Sequence, residues 1–220
     1  MIPIGDDNTA RRTFPVVNYG LIAANVLLFL VELGQPDPQG YITRWGAVPA
    51  SISAGHGLET LLTSAFLHAG WLHLLGNMLF LYVFGDNVED AFGHLRYLLF
   101  YLACAVLAGL GQVVLAPDAQ LPGIGASGAI SGVLAAYVVM FGANRVRVLV
   151  FFFPAVVPAY VMIGVWIVLQ FLNGVASLSQ TAQTGGVAYG AHIGGFVGGL
   201  LLTLLLRPRG GRRPAGWSRG

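Results

Sequence analysis

The sequence predicts an all-α membrane protein, a six-transmembrane-helix bundle whose fourth helix is short and sunken. Composition indicates a lipid environment, because 56% of the 220 residues are hydrophobic and only 9% are charged, whereas a soluble domain carries about 25% charged residues. Six apolar runs follow one another along the chain. As a helix, the fourth run, Ser127–Phe141, rises only about 22 Å, and the hydrocarbon core of a bilayer is about 30 Å thick. We therefore expect its first residue at the floor of a water-filled pocket.

The first span is predicted at Pro15–Val31, after a short polar segment, residues 1–14, that contains Arg11 and Arg12. A positive flank before an apolar run is also typical of a signal peptide. No small-residue cleavage pattern follows Val31, because Glu32, a glycine and two prolines stand there. We therefore interpret this run as a retained span.

Five further spans follow a long loop, residues 35–59. A charged connector, residues 85–96, separates the second span from the third, and two prolines interrupt the fifth. The five spans are predicted at Ala69–Phe84, Tyr97–Leu115, Ser127–Phe141, Val148–Leu172 and Val187–Leu206. Residues 15–206 would then form one membrane domain, residues 1–14 a cytoplasmic N-terminal segment and residues 207–220 a basic cytoplasmic tail.

Arginines determine the predicted orientation. The chain has 11 arginines and no lysine, and with a cytoplasmic N-terminus Arg44 alone falls on the outer side, as the positive-inside rule requires. We expect an integral, multi-pass protein of a bacterial inner membrane with both termini cytoplasmic and Ser127 near the outer side. A nucleic-acid partner is not expected, because the arginines lie at span ends and in the tail rather than along one folded surface.

Ser127 is the predicted nucleophile. At a helix start the backbone amides of Ser127 and Gly128 are free, and the helix dipole favours negative charge there. Glycines on both sides, Gly125 and Gly128, let a substrate backbone come close. The alternative is a helix-capping serine followed by a packing face of small residues, Gly128, Gly132 and Ala136. This short motif does not decide between the two by itself.

His192 in the sixth span is the predicted base, because an ionisable residue within a membrane indicates a functional site. Gly195 and Gly199 share its helical face and would let a neighbouring helix approach closely. The fourth span offers a matching face of small residues, Ser127, Ser131 and Ala135. The alternative is a histidine bonded to a loop carbonyl, on a helix whose glycines serve packing only.

None of the nine acidic residues lies in the fourth, fifth or sixth span. A Ser-His dyad therefore fits better than a Ser-His-Asp triad. In such a dyad, packing and neutral hydrogen bonds would have to orient His192.

The second span contributes His73 and Asn77, which are one turn apart on one face, with His68 just before the span. Together with His192 these histidines could bind zinc, but no carboxylate or thiolate is placed to join them, so no metal is expected. Neutral histidine and asparagine side chains serve better as donors to an oxyanion. The alternative is that they form polar contacts between helices.

Taken together, these segments closely resemble the rhomboid family of intramembrane serine proteases. Their order, spacing and span placement agree over roughly residues 60–205, and Glu89 and Gly93 in the second connector also resemble the family pattern. The matching strings are Ser64-Ala65-Phe66-Leu67-His68, His73, Gly76-Asn77, Gly125-Ala126-Ser127-Gly128 and Ala191-His192-Ile193-Gly194-Gly195.

The resemblance implies that Ser127 is the nucleophile and His192 the general base. His73 and Asn77 would form the oxyanion hole with the Ser127 amide, and His68 would support the site near its mouth. The supporting positions are His68, Gly125, Gly128, Gly195 and Gly199. The resemblance also implies a six-helix fold of rhomboid type that needs no cofactor and cleaves transmembrane segments of other proteins, entering from the bilayer past the fifth helix.

The sequence departs from the family pattern at two places. Several members carry a Trp-Arg pair in the first loop, where this chain has Glu59-Thr60, and others carry a tyrosine where it has Ser131. Three rival functions remain open: a catalytically inactive relative that binds membrane clients, a transporter suggested by the broken fifth span and the intramembrane histidines, and a metal-dependent membrane enzyme. Retention of both Ser127 and His192 favours the protease.

Overall fold

The computed structural model describes residues 1–178 and 188–206 of the chain. The described part is mostly helical, with one small sheet. The predicted basic tail, residues 207–220, and the part of the last loop at residues 179–187 lie outside the described residues. The helices are α1 Val16–Leu33, α2 Pro38–Trp45, α3 Pro49–Ser53, α4 Thr60–Thr63, α5 Trp71–Phe92, α6 His94–Leu115, α7 Ser127–Phe141, α8 Ala159–Leu178 and α9 Tyr189–Leu206. The strands are β1 Ile2–Gly5, β2 Arg145–Val150 and β3 Phe153–Pro158.

Three helices are long and apolar enough to cross a membrane, namely α1, α6 and α9. A fourth candidate is the segment Thr60–Phe66 together with α5, which is bent by 97° at the break between them. Two shorter apolar helices are Ser127–Phe141 and Ala159–Gly174. The described helices therefore agree with a membrane protein, while the predicted count of six spans stays a prediction.

Helix α7 is surrounded by the other helices. Every residue from Gly128 to Tyr137 is buried, so α7 has neighbours on all sides. Gly195 and Gly199 of α9 pack on Gly128 and Gly132, where an added Cβ would overlap the facing backbone. The prediction that α9 packs on the face of α7 formed by Ser127, Ser131 and Ala135 is wrong. The glycines of α9 contact Gly128 and Gly132, each of which follows a predicted residue by one position.

The prediction that the fifth span starts at Val148 is wrong. Strands β2 and β3 form an antiparallel hairpin, and α8 begins only at Ala159. The sequence of β2 alternates, so that Val146 and Val148 are buried whereas Arg145 and Arg147 are exposed, which is the two-residue period of a strand. The two prolines, Pro154 and Pro158, lie on β3 at the edge of the sheet, where a missing N–H donor is tolerated.

The N-terminal segment is also more structured than expected from its polarity. Strand β1 pairs antiparallel with β2, with Ile2 opposite Leu149 and Pro3 opposite Val148. The sheet order is β1-β2-β3. Sequence reasoning missed this pairing because the two strands are far apart along the chain.

The prediction that residues 85–96 form a connector between two spans is also wrong. Helix α5 continues to Phe92 and α6 begins at His94, so that only Gly93, with φ +80°, separates them. The helix tolerates the buried Glu89 because its two carboxylate oxygens accept hydrogen bonds from the backbone N–H groups of Val17 (3.0 Å) and Asn18 (2.7 Å). These are free donors in the first turn of α1, so Glu89 caps that helix.

The long first loop contains α2 and α3 and anchors the segment before α7. The backbone N–H of Ala47 donates to the Gly123 carbonyl (3.0 Å), and that of Gly123 donates back to Ala47 (2.8 Å). Two residues further on, the N–H of Gly125 donates to the Ser64 carbonyl (2.9 Å). These bonds hold the chain at the point where it enters α7.

Candidate active site

A cavity of about 740 Å³ lies at the N-terminal end of α7. Its lining is mostly apolar, with polar side chains from α5, α7 and α9. Ser127, His192, His73 and Asn77 all line it, together with Gly125 and Gly128. The structure thus brings together four of the polar residues that the sequence singled out.

Ser127 is the first residue of α7, and His192 lies in the first turn of α9. The Ser127 Oγ and the His192 Nε2 are 2.7 Å apart, which is hydrogen-bond distance. The close packing of Gly195 on Gly128 brings the two helices near enough for this contact. A serine hydroxyl bonded to a neutral imidazole is the arrangement in which a base can take up the serine proton.

Three side chains surround the His192 ring, and sequence reasoning missed all of them. The Nδ1 atom of His192 is 2.7 Å from the Gln170 Oε1. The Trp166 ring lies 5.6 Å from the imidazole, tilted by 42°, and the Tyr189 ring meets it edge-on at 6.5 Å. Trp166 and Gln170 are four positions apart on α8, so they share one face of that helix. That spacing is the one signal in the sequence that could have indicated them.

Ser131, which stands at the position of the family tyrosine, does not pack on His192 through its hydroxyl. Its Oγ donates to the Ser127 carbonyl oxygen one turn earlier (2.6 Å). Such a bond is common for serine within a helix. Trp166 and Tyr189 therefore occupy the surroundings of the imidazole instead.

His73 and Asn77 converge on Gly125, directly before Ala126 and Ser127. A Cβ added to Gly125 would lie 2.7 Å from the His73 Nε2 and 3.6 Å from the Asn77 Nδ2. Gly125 has φ +116°, a conformation that side chains rarely adopt. Both the backbone angle and the space therefore require glycine here.

His73 and Asn77 each have an N–H group that can donate a hydrogen bond to a substrate. The Ala69 backbone N–H donates to the His73 Nδ1 (3.3 Å), so a neutral His73 carries its proton on Nε2, the atom near Gly125. The Asn77 Nδ2 is buried and is one of the few side-chain nitrogens in the described part of the chain without a hydrogen-bond partner. A buried donor without a partner costs free energy and calls for an explanation.

His68, which was expected to support the site near its mouth, is not among the residues that line the cavity. It is fully buried between Phe29 and His73, with ring centroids 6.4 Å and 5.1 Å away. Its backbone N–H donates to the Glu32 Oε2 (3.1 Å). His68 therefore supports His73 from behind, on the side of α1. It does not face the cavity.

A metal site is not formed by these residues. Among residues 1–178 and 188–206, no group of three or more histidine, cysteine, aspartate or glutamate side chains could hold a metal ion. Cys104 is buried beside Gly132 and is not among the residues that line the cavity.

Comparison with known proteins gives one consistent result. The family model described as Rhomboid domain matches residues 56–209. The chain is 32% identical over 194 residues to "Rhomboid protease GluP" of Bacillus subtilis, covering 87% of this chain and 35% of that protein. It is 25% identical over 215 residues to "Putative rhomboid protease YdcA" of the same organism, covering 93% of this chain and 95% of that protein. It is 32% identical over 148 residues to "Rhomboid protein 1, mitochondrial" of Saccharomyces cerevisiae, covering 64% of this chain and 40% of that protein. The chain thus spans about a third of the length of the GluP protein.

Proposed function

Because the chain belongs to the rhomboid family, we propose that it is an intramembrane serine protease that cleaves transmembrane segments of other membrane proteins through a Ser127-His192 dyad. The family and the apolar helices make it an integral membrane protein. The single observation that carries the proposal is the 2.7 Å distance between the Ser127 Oγ and the His192 Nε2 inside the cavity.

The proposed reaction proceeds in two stages. The Ser127 Oγ attacks the carbonyl carbon of the scissile peptide, and its proton moves to the His192 Nε2 while the carbonyl π electrons move to the oxygen. The tetrahedral intermediate collapses, the C–N bond breaks, and His192 returns the proton to the leaving amine. A water molecule then attacks the acyl-enzyme with His192 as base, which releases the acid and restores Ser127.

His73, Asn77 and the Ser127 backbone N–H are the proposed donors to the oxyanion. The positions of His73 Nε2 and Asn77 Nδ2 beside Gly125 support this role, as does the missing partner of the Asn77 amide. In the resting enzyme that donor is unsatisfied, so its hydrogen bond is gained when negative charge develops on the substrate oxygen. An interaction made only in the transition state raises kcat.

The proposed architecture is a six-helix bundle of rhomboid type, composed of α1, α5, α6, α7, α8 and α9, with α7 sunken. Helix α7 has 15 residues and rises about 22 Å, short of the roughly 30 Å of a bilayer core. Ser127 at its start would then lie below the outer surface, where water reaches it only through the cavity. Residues 15–206 form the membrane domain, and residues 1–14 and 207–220 lie in the cytoplasm of a bacterial cell.

The proposed partners follow from this placement. The substrate is a transmembrane segment or its edge, which enters from the lipid bilayer past α8, and the reaction needs no cofactor or metal. Pro154 and Pro158 do not loosen that helix, because both precede it in β3.

The test is cleavage of a panel of single-span proteins in liposomes by the wild-type chain and three variants. We expect Ser127→Ala and His192→Ala each to abolish cleavage. Ser131→Ala is the matched control, one turn along the same helix, and should keep cleavage within about twofold. Equal cleavage by wild type, Ser127→Ala and His192→Ala would contradict the proposal. Binding of a client without any cleavage by wild type would favour an inactive relative instead.

A further inference from the structure

We propose that Gln170 is a positioning residue that holds His192 in the tautomer able to accept the Ser127 proton. This inference rests on the proposed protease function and adds a third member to its dyad. The contact that carries it is the 2.7 Å distance between the Gln170 Oε1 and the His192 Nδ1.

The chemistry of the two groups fixes the direction of this hydrogen bond. An amide oxygen can only accept, so the Nδ1 atom must carry the proton and donate it. A neutral imidazole has a single N–H, so the Nε2 atom is then left with its lone pair. That lone pair faces the Ser127 Oγ at 2.7 Å. Gln170 therefore selects the form of His192 that can act as a base toward Ser127.

Helix α8 holds the imidazole at two points. Trp166 covers the ring, with the two ring centroids 5.6 Å apart, and Gln170, one turn later, meets its edge. Packing restricts the tilt of the ring, and the hydrogen bond fixes its rotation. A base held in this way keeps its Nε2 aimed at Ser127 before substrate arrives, and preorganisation of that kind lowers the barrier.

A neutral amide suits this position better than a carboxylate. An unpaired carboxylate among apolar helices is costly to bury, whereas a glutamine pays a much smaller cost and still offers an acceptor. When His192 takes up the serine proton, the Gln170 carbonyl dipole remains bonded to the Nδ1–H and stabilises the imidazolium. The structure thus supplies the orienting role of a triad aspartate without a buried charge.

The decisive variants keep the size of the side chain and change its chemistry. Gln170→Met removes the acceptor, and Gln170→Glu keeps it and adds charge. Leu169→Met is the matched control, since Leu169 is the preceding residue of α8 and half of its side chain is exposed. All three are compared with wild type for kcat and KM on one single-span substrate, for the pH dependence of kcat/KM and for thermal stability.

We expect Gln170→Met to lower kcat by about 10- to 100-fold, part of the usual contribution of general acid–base catalysis, while KM stays within about twofold. Gln170→Glu should restore most of kcat. In the pH profile of kcat/KM for Gln170→Glu, the acidic limb should move to higher pH by about one unit or more, because a carboxylate favours the protonated imidazole. Within residues 1–178 and 188–206, the other titratable side chains around His192 are His73 and Tyr189, which all variants retain. Leu169→Met should match wild type.

Two results would overturn the positioning role. One is a kcat for Gln170→Met equal to that of Leu169→Met, and the other is an unchanged pH profile for Gln170→Glu. If Gln170→Met unfolds at a lower temperature, the profile of Gln170→Glu decides, because a merely structural contact would not move it. The outcome stays separate from the protease proposal: loss of activity in Ser127→Ala with full activity in Gln170→Met rejects only the role of Gln170.

Discussion

Helix α5 carries a buried asparagine near each end, and the two differ in their hydrogen bonds. Asn77 lines the cavity at the start of α7, and its Nδ2 has no partner in the described part of the chain. Asn87 lies at the opposite end, and its Nδ2 donates to the Asp6 Oδ2 (2.6 Å) and to the Asn8 Oδ1 (2.7 Å). The same side chain is unsatisfied at one end of the bundle and saturated at the other.

The two ends of α7 also differ in their surroundings. Ser127 at the N-terminal end meets His192 in an open cavity, whereas Tyr137 near the C-terminal end donates its hydroxyl to the Asp6 Oδ2 (2.6 Å). Arg11 pairs with Asp86 (2.6 Å) in the same closed cluster. Saturated polar groups fasten the N-terminal segment to the helices. Unsatisfied groups beside a cavity are available to a substrate.

The largest expected effect is at Asn77. Asn77→Leu should lower kcat by about 10²- to 10³-fold, the usual cost of removing one oxyanion donor. Stability should not fall, because the variant replaces an unpaired buried amide by an apolar group of similar size. Cleavage kinetics and thermal unfolding of the purified protein measure both. A kcat within threefold of wild type would remove Asn77 from the oxyanion hole.

The matched change at the other end is Asn87→Leu. It removes both hydrogen bonds to the N-terminal segment, while the Asp6 Oδ2 keeps the bond from the Tyr137 hydroxyl. The change should cost about 2 kcal/mol of unfolding free energy. The kcat of the folded fraction should stay within about twofold. Loss of kcat without loss of stability would mean that the two ends are not separate in function.

A smaller loss is expected for Tyr137→Phe. The change deletes one hydroxyl and its bond to Asp6, worth about 1–1.5 kcal/mol, and leaves the ring packing on Phe84 and Phe141 in place. Thermal unfolding should shift downward by a few degrees with activity unchanged. An unchanged midpoint would show that this hydrogen bond contributes nothing net.

The smallest effect concerns pH and Asp6. The pKa of the Asp6 carboxyl is raised from 3.8 to about 7, mainly by burial and to a smaller extent by the nearby Asp86 and Asp7 carboxylates, against the opposing effect of the hydrogen bond from the Tyr137 hydroxyl. Since the folded state binds this proton more tightly than the unfolded state, the contribution to stability is present at low pH and is lost as pH rises from about 4 through 7. Because Asp6 is partly exposed, we expect only about 1 kcal/mol.

Asp6→Asn is the comparison for this pH dependence. The variant removes the titrating carboxyl and should flatten the fall of the unfolding midpoint between about pH 4 and 7, the window set by the unfolded and folded pKa values of Asp6. A curve for Asp6→Asn that runs parallel to the wild-type curve would assign the pH dependence to another group.

Much of the site could be predicted from the sequence because its residues recur at helical spacing. Helix α7 begins at Ser127 and ends at Phe141 as predicted, and the polar residues of α5 and α9 are singled out by their apolar surroundings. Gln170 shares a helical face with Trp166, but that spacing does not connect it with His192. A neutral glutamine in an apolar run carries little signal, and its distance from His192 along the chain gives no hint of contact in space.

The part of the fold around the three-stranded sheet was harder to predict. The run after Arg147 is apolar enough for a span, and a short apolar run does not distinguish strand from helix. Its strand conformation depends on pairing with β1, which lies at the other end of the sequence. Likewise Glu89 reads as a connector residue until α1 supplies the backbone donors that it caps.

The central claim is that the cavity at the start of α7, where the Asn77 Nδ2 has no hydrogen-bond partner among the described residues, is the active site. Labelling with a serine-directed fluorophosphonate, followed by peptide mapping in a mass spectrometer, tests it most directly. We predict a single adduct on Ser127 in wild type, in Tyr137→Phe and in Asn87→Leu, and no adduct in His192→Ala. An adduct on another serine, or equal labelling of Ser127 in His192→Ala, would contradict the account.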